Sequence, residues 1–273
     1  MLRDTFDEDA ELYDRARPAY PAPLVEALAA AARLGPGRRL LEVGPGTGQL
    51  TVPLARYGCS VTAVELGPSL AAVASRNLGP YPAAEVVVAP FETWAAPPEP
   101  YDALVVATAF HWLDPAVRLD RAADALRDGG LLALVTTHHV ASETTRSDDA
   151  FFADAQRCYE RWDPATPPGL RLRASAPVAT DTAELAASER FGPVSVARWT
   201  REITYSADAY IDVLMTYSGH RALEPVAREG LLSDLRGLID GRYGGHITKT
   251  YLHELITARK EPGFPGKSTV STG

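Results

Sequence analysis

Three glycines at alternate positions, and one acid further along the chain, are the residues of this sequence best placed to do chemistry. Gly44, Gly46 and Gly48 follow an apolar run, and Glu65 ends the next apolar run. Glycines let the main chain turn sharply and let a ligand lie against bare backbone. An acid at the end of the second strand of such a unit accepts hydrogen bonds from ribose hydroxyls. The pattern therefore predicts a nucleoside-cofactor site.

The spacing of the glycines separates the classes of nucleoside cofactor. The dinucleotide fingerprint is G-x-G-x-x-G, whose third glycine allows close packing of helix on strand. Counted from Gly44, that glycine would stand where this chain has Gln49. The spacing G-x-G-x-G, with Glu42 two positions before the first glycine, resembles the first motif of class I S-adenosylmethionine-dependent methyltransferases. The resemblance implies that S-adenosylmethionine is the cofactor and S-adenosylhomocysteine the product; an NAD-dependent oxidoreductase is the less favoured alternative.

The elements that would position these residues follow a regular order. Apolar, strand-like runs occupy 39–43, 60–65, 84–89, 101–108 and 130–137. Because the runs are almost continuously apolar and alternate with helical stretches, they predict a parallel sheet covered on both faces. Right-handed crossovers then bring the carboxyl ends of the strands to one edge, where ligands bind. One helix signal is especially clear, with Asp114 as the cap, Pro115 in the first turn and Gly129 at the end.

The rest of the chain completes the predicted fold. Strand-like segments at 194–206 and 246–260 flank two helical stretches, and a closing antiparallel hairpin is characteristic of the methyltransferase sheet. We therefore predict an α/β, Rossmann-like, seven-stranded sheet that is mostly parallel, is flanked by helices and carries a helical cap or lid. The expected parts are an N-terminal arm and helix covering the cofactor (1–35), the S-adenosylmethionine-binding core (36–140), an inserted cap (141–192), a closing hairpin with a helical lid insertion (193–260) and a disordered tail (261–273).

The resemblance assigns further cofactor contacts residue by residue. Leu66 would lie against one face of the adenine, and the turn with Phe91 and Glu92 would supply contacts to the adenine edge. Glu92 as a solvated loop acid is the alternative. The backbone around Ala107 and Phe110 would flank the methionyl part of the cofactor.

Two histidines are the candidate catalytic residues. His111 belongs to an H-W pair similar to that of small-molecule methyltransferases such as the trans-aconitate methyltransferases. A histidine there can act as a general base, because its ordinary pKa is about 6.5; packing beside Trp112 with a bond to a backbone carbonyl is the alternative. His139 ends the fifth predicted strand on the same edge and is the second candidate base. No metal site is predicted.

The N-terminal arm carries the third point of resemblance. Tyr13, Arg17, Pro18 and Tyr20 match a Y-x-x-x-R-P-x-Y pattern common in bacterial relatives of this group. In those relatives the arm folds over the cofactor, which implies that Tyr13 and Arg17 lie near its methionine end. An ordinary arm packed on the surface is the alternative.

Composition limits the classes of partner. The formal net charge of −8 argues against a nucleic-acid binder, which would normally show a basic patch. The chain shows no basic, strongly apolar leader and no apolar run near ~20 residues, so we expect a cytoplasmic protein, monomer or homodimer, without a membrane partner. The predicted function is methyl transfer to an oxygen, in a carboxylate, hydroxyl or phenol, of a small molecule. A protein of the same fold that binds S-adenosylmethionine without methylating, such as a cyclase or a regulatory module, remains the alternative.

Overall fold

A seven-stranded sheet organises the computed structural model, which describes residues 7–142 and 146–263. The strands are β1 (Arg39–Val43), β2 (Ser60–Glu65), β3 (Ala84–Val88), β4 (Tyr101–Ala107), β5 (Leu126–Val140), β6 (Ser195–Ser206) and β7 (His246–Arg259). Their order across the sheet is β3-β2-β1-β4-β5-β7-β6. The first four strands thus lie within one residue of the bounds predicted from the sequence.

The direction of the strands confirms the predicted mixed sheet. β1 pairs in parallel with β2 and β4, β2 pairs in parallel with β3, and β4 pairs in parallel with β5. β7 runs the other way, since Gly129 donates its N–H to the Lys260 carbonyl while Thr136 bonds Glu254, further back along β7. The sheet is therefore Rossmann-like and mostly parallel, closed by an antiparallel hairpin.

The helices are α1 (Ala10–Ala16), α2 (Ala22–Ala32), α3 (Thr51–Ala55), α4 (Pro68–Leu78), α5 (Arg118–Ala125), α6 (Arg146–Trp162), α7 (Ala183–Ala186), α8 (Ala207–Leu214), α9 (Ser218–Arg221) and α10 (Pro225–Arg242). A short 3₁₀ turn covers Phe110–Trp112. The chain divides into two compact units. Unit 1 comprises Met1–Pro21, Thr137–Ala179 and Arg198–His253, and unit 2 comprises Ala22–Thr136, Thr180–Ala197 and Glu254–Gly273.

Each unit has its own hydrophobic core. In unit 2 the core joins the central strands to α5 through fully buried residues such as Leu41, Leu104 and Leu132. In unit 1 the core joins α6, α8 and α10 around Phe151 and Leu235, which are also fully buried. Apolar burial of this kind is the main stabilising contribution to each unit.

The helix predicted over 115–129 was predicted wrongly at both ends. Asp114 caps only a turn, because its carboxylate accepts the N–H of Ala116, and the helix itself begins at Arg118. The helix ends at Ala125, because the next residue, Leu126, is buried in the sheet beside Tyr101. Pairing in the sheet thus overrides the local helix signals of this segment. Of the tail predicted for 261–273, the part from residue 264 onward lies outside the described residues.

Candidate functional site: a crevice and a cavity

The sheet of unit 2 reverses its winding between β1 and β4. β2 and β3 lie on one side of β1, and β4 lies on the other. At such a switch point the loops that follow the two strands diverge and leave a crevice for ligands. A Cβ placed on Gly44 after β1 would lie only 2.8 Å from the Cβ of Ala109 after β4. Glycine at position 44 is therefore required by the close approach of the second loop.

The loop after β1 has a conformation that favours glycine. Gly44, Gly46 and Gly48 have φ values of 68°, 61° and 97°, in the left-handed region that side chains disfavour. Side chains around the loop fix it, since Asn77 donates to the carbonyl of Thr47 and Gln49 donates to the hydroxyl of that residue. The predicted glycine loop is thus an ordered turn that presents bare main chain.

Glu65 ties the glycine loop to the start of α4. One of its carboxylate oxygens accepts the N–H of Gly46 at 2.9 Å, and the other accepts the N–H of Gly67 at 3.0 Å. Glu65 is only 6% exposed to solvent. Each carboxylate oxygen has two lone pairs, and such oxygens are the acceptors that ligand hydroxyls bind. The acid is therefore held rigidly in the crevice.

Glu42 is the second acid of the crevice and lies deeper. The residue is 1% exposed, and its Oε2 atom is buried with no hydrogen-bond partner among the described residues. Burial raises the pKa of Glu42 to about 7, and repulsion from the carboxylate of Glu65 adds to the shift. Burying an acceptor without a hydrogen-bond partner costs free energy, and a ligand that brings a donor removes this cost.

The remaining predicted cofactor residues of unit 2 lie in the loops after β2, β3 and β4 or, for Ala107, at the end of β4 itself. Leu66 is 37% exposed, an apolar side chain open to contact. Phe91 is buried in the core, and Glu92 accepts the N–H of Asp114 at 3.2 Å, a bond that prediction from sequence missed. Ala107 is buried at the end of β4, and Phe110 lies under the guanidinium of Arg118 at 4.0 Å.

His111 is exposed on the 3₁₀ turn that follows β4. Its ring centroid lies 4.7 Å from that of Trp112, and no described residue is a hydrogen-bond partner of its ring. Lost hydration lowers the pKa of His111, and the charge of Arg118 lowers it further. The imidazole is therefore neutral at physiological pH, with its ring nitrogens available to a ligand.

The arm residues belong to unit 1. The guanidinium of Arg17 lies over the rings of Tyr13 and Tyr217, at 5.1 and 4.4 Å from their centroids, and donates to the carbonyl of Thr216. The arm is thus packed by specific contacts within unit 1. The role of Tyr13 and Arg17 in cofactor binding remains a prediction.

Unit 1 also contains a cavity of about 740 Å³ whose wall includes His139. The Nε2 atom of His139 is 3.2 Å from the hydroxyl of Tyr217. Lost hydration lowers the pKa of His139 well below its usual range, and the charge of Lys249 lowers it further. Prediction from sequence missed Lys249, which is 3% exposed and lines the same cavity. A lysine within an apolar strand such as 246–260 is the signal that could have drawn attention to it.

The described part of the chain lacks two features, a metal-binding cluster and a membrane-spanning helix. No group of three or more His, Cys, Asp or Glu side chains there is arranged to hold a metal ion. No described helix combines the length and the apolar character needed to cross a membrane.

Comparisons with known proteins agree with the geometry of the crevice. Residues 41–134 match the family model "Methyltransferase domain". An uncharacterized methyltransferase of Mycobacterium tuberculosis is 36% identical over 131 residues, which are 48% of this chain and 51% of that protein. A ubiquinone biosynthesis O-methyltransferase of Xylella fastidiosa is 38% identical over 104 residues, 37% of this chain and 42% of that protein. The chain thus spans about half the length of the curated relatives that it matches.

A solved structure supports the fold over most of the chain. The proposed type II methyltransferase of Anaeromyxobacter dehalogenans superposes with a TM-score of 0.60 at 24% identity, covering 90% of this chain and 99% of that one. The segment matched by the family model, 41–134, contains the glycine loop, Glu65 and His111. Residues 41–134 therefore match a methyltransferase domain, in agreement with the predicted membership of the class I S-adenosylmethionine-dependent superfamily.

Proposed function

We propose that this protein transfers the methyl group of S-adenosylmethionine to an oxygen of a small-molecule acceptor. The observation that carries the proposal is the crevice at the switch point of the sheet. There the glycine loop after β1 and the acid after β2 are joined by the hydrogen bond from Gly46 to Glu65. The O-methyltransferase among the relatives supports an oxygen acceptor.

The residues of the crevice fit this cofactor in shape and charge. Gly44, Gly46 and Gly48 offer bare main chain, and Glu65 offers carboxylate lone pairs for ribose hydroxyls. The unpartnered Oε2 atom of Glu42 accepts a ligand donor. S-adenosylmethionine carries a positive charge on sulfur and supplies an electrophilic methyl group when bound. The carboxylate of Glu65, and that of Glu42 above its pKa of about 7, complement that charge.

The side chains that contact the adenine and the methionyl part follow from the same placement. Leu66 supplies an exposed apolar surface for the adenine, and the turn with Phe91 and Glu92 lines its edge. Ala107 and Phe110 border the methionyl part, and Tyr13 and Arg17 act from the arm. Holding both reactants in line lowers the activation barrier by about 7–11 kcal/mol in well-oriented reactions.

His111 acts as the general base when the acceptor is a hydroxyl or a phenol. With S-adenosylmethionine bound, its neutral imidazole would accept the proton of the hydroxyl or phenol and would then release that proton to solvent. A carboxylate acceptor is already ionised and needs no base. His139 is less basic than His111, because burial and the charge of Lys249 lower the pKa of His139 well below its usual range.

Methyl transfer is tested with the purified protein, isotopically labelled S-adenosylmethionine and a panel of phenols and carboxylic acids. We expect S-adenosylhomocysteine to form together with a labelled acceptor, and Glu65→Ala to reduce both together. Acceptors that are converted without gaining the label would contradict the proposal. That outcome would establish the non-methylating alternative instead.

A further inference from the structure

The cavity of unit 1 has a charge opposite to that of the whole chain. The chain has 35 acidic and 27 basic residues. The wall of the cavity nevertheless includes Lys249, Arg171 and Arg173, and none of the described residues that line it is Asp or Glu. A one-sided charge in a concave, partly apolar wall attracts ligands of the opposite charge.

Lys249 is the buried cation of this wall. Its ammonium nitrogen lies 5.6, 5.2 and 5.3 Å from the ring centroids of Tyr210, Tyr217 and Tyr251. No carboxylate of the described residues forms an ion pair with it. Rings at this distance stabilise an ammonium group, but a buried charge is normally also paired with an opposite charge. The lysine thus lacks the anion that its burial calls for.

A second cation contacts the same cluster of rings. Arg17 lies over the ring of Tyr217, and its Nε atom is buried with no hydrogen-bond partner among the described residues. Burial lowers the pKa of Lys249 to about 7, and the guanidinium of Arg17 contributes to this shift. Two neighbouring cations repel each other, and an anion between the ring cluster and the cavity would relieve both.

We propose that this cavity binds a small organic acid whose carboxylate pairs with Lys249. The apolar part of the acid packs against Phe152, Leu172 and Leu214 of the cavity wall. A monoanion is favoured over a phosphate, because Lys249 is the buried cation among the described residues of the wall, whereas Arg171 and Arg173 are exposed. The volume of about 740 Å³ lies within the range of small-molecule sites.

The inference rests on the proposed function only where the acid is taken to be the methyl acceptor; binding of the acid does not depend on it. The polar groups of the wall agree with an anionic ligand. Lys249 lowers the pKa of both His139 and His220, after the larger effect of lost hydration. Both rings are therefore neutral and offer an N–H donor without competing for the anion. A bound carboxylate would offset the repulsion and raise the pKa of His139.

The test is calorimetric titration of the full chain with trans-cinnamate and with its neutral amide. We expect the acid to bind at least about tenfold more tightly than the amide, ~1.4 kcal/mol. Lys249→Met should remove this preference. Arg236→Met is the matched control, since Arg236 is an exposed cation of the same unit that does not line the cavity, and it should keep the preference.

Proton uptake gives a second readout that a merely structural lysine would not change. The charged and titratable groups that face Lys249 are Arg17, Tyr210, Tyr217, Tyr251, His139 and His220. At about pH 8, above its pKa, Lys249 is mostly neutral, so binding of the acid should take up nearly one proton. The binding heat should then depend on the ionisation enthalpy of the buffer. Lys249→Met should show no such dependence.

Three results would overturn the inference: no binding of the acid, equal affinity for acid and amide, or an undiminished preference in Lys249→Met. S-adenosylhomocysteine is titrated into the same samples. If it binds to Lys249→Met as to the wild type, the variant is folded and a lost preference is specific. If it fails to bind to the wild type while the acid behaves as expected, the proposed function fails and this inference stands.

Discussion

The crevice of unit 2 and the cavity of unit 1 are built from different material. The crevice consists of main chain and two buried acids, Glu42 and Glu65, supplied by adjacent elements β1 and β2. The cavity consists of side chains from separate segments and contains the buried cation Lys249. The ligands proposed for them differ accordingly, a positively charged nucleoside cofactor for the crevice and an organic acid for the cavity. Each site is therefore characterised by the sign of its buried charged side chains, acidic in the crevice and basic in the cavity.

Substitution of Gly44 by alanine should break the crevice alone and have the largest effect. The new Cβ would meet Ala109 at 2.8 Å, on a backbone with a φ of 68°. We expect a loss of about a hundredfold or more in S-adenosylhomocysteine affinity by calorimetry, ~2.7 kcal/mol. Binding of the acid to the cavity should persist.

Gly37→Ala is the matched control for this change. Gly37 has a φ of 78°, and a Cβ there would meet nothing within 4 Å. It therefore carries the same backbone strain without the crowding. Similar losses of affinity in both variants would show that strain, and not the approach of the two loops, explains the effect.

Substitution of His111 by alanine should separate chemistry from binding. With a hydroxyl or phenol acceptor we expect turnover to fall about a hundredfold, since general bases contribute roughly 10²–10⁴-fold. The affinity for S-adenosylhomocysteine should hardly change. His246→Ala, at an exposed position, is the control. Unchanged turnover in His111→Ala would remove the base and favour a carboxylate acceptor.

Substitution of Glu65 by alanine should weaken S-adenosylhomocysteine binding at least about tenfold, ~1.4 kcal/mol. The change removes the acceptor for ribose hydroxyls and the bonds from Gly46 and Gly67. Glu26→Ala, on the exposed side of α2, should leave binding unchanged. An affinity equal to the wild type in Glu65→Ala would contradict the assignment of the ribose site.

Glu42 should affect stability in a way that depends on pH. Its pKa is about 7 in the folded protein against an ordinary value of 4.5, so between these pH values the folded state keeps a proton that the unfolded chain has released. Stability contributed by this group is therefore lost as pH rises through that window. Glu42→Gln should gain a few degrees in Tm over the wild type above about pH 7, at ~2–4 °C per kcal/mol. A Tm difference that is constant with pH would contradict the shift.

The crevice could be predicted from the sequence because its parts are local. The G-x-G-x-G spacing, the apolar strand before it and Glu65 at the end of the next strand lie within 27 residues of one another. Local spacing fixes which residues meet once a βαβ unit forms. The hydrogen bond from the N–H of Asp114 to the carboxylate of Glu92 could not be predicted, because it joins two loops through the tertiary fold.

The cavity could not be predicted for the same reason. Lys249 meets Tyr210 and Tyr217 only after α8 and β7 have packed together, and no short motif records that contact. The helix predicted to end at Gly129 shows the same limit, since buried pairing of Leu126 in the sheet ends it earlier. Burial and pairing decide these positions, and neither can be read from spacing alone.

The most direct test of the central claim is calorimetric titration of the wild-type protein with S-adenosylhomocysteine and, in parallel, with NADH. The account predicts that S-adenosylhomocysteine binds at micromolar concentration and that NADH does not. Binding of NADH without binding of S-adenosylhomocysteine would contradict the account and restore the oxidoreductase alternative.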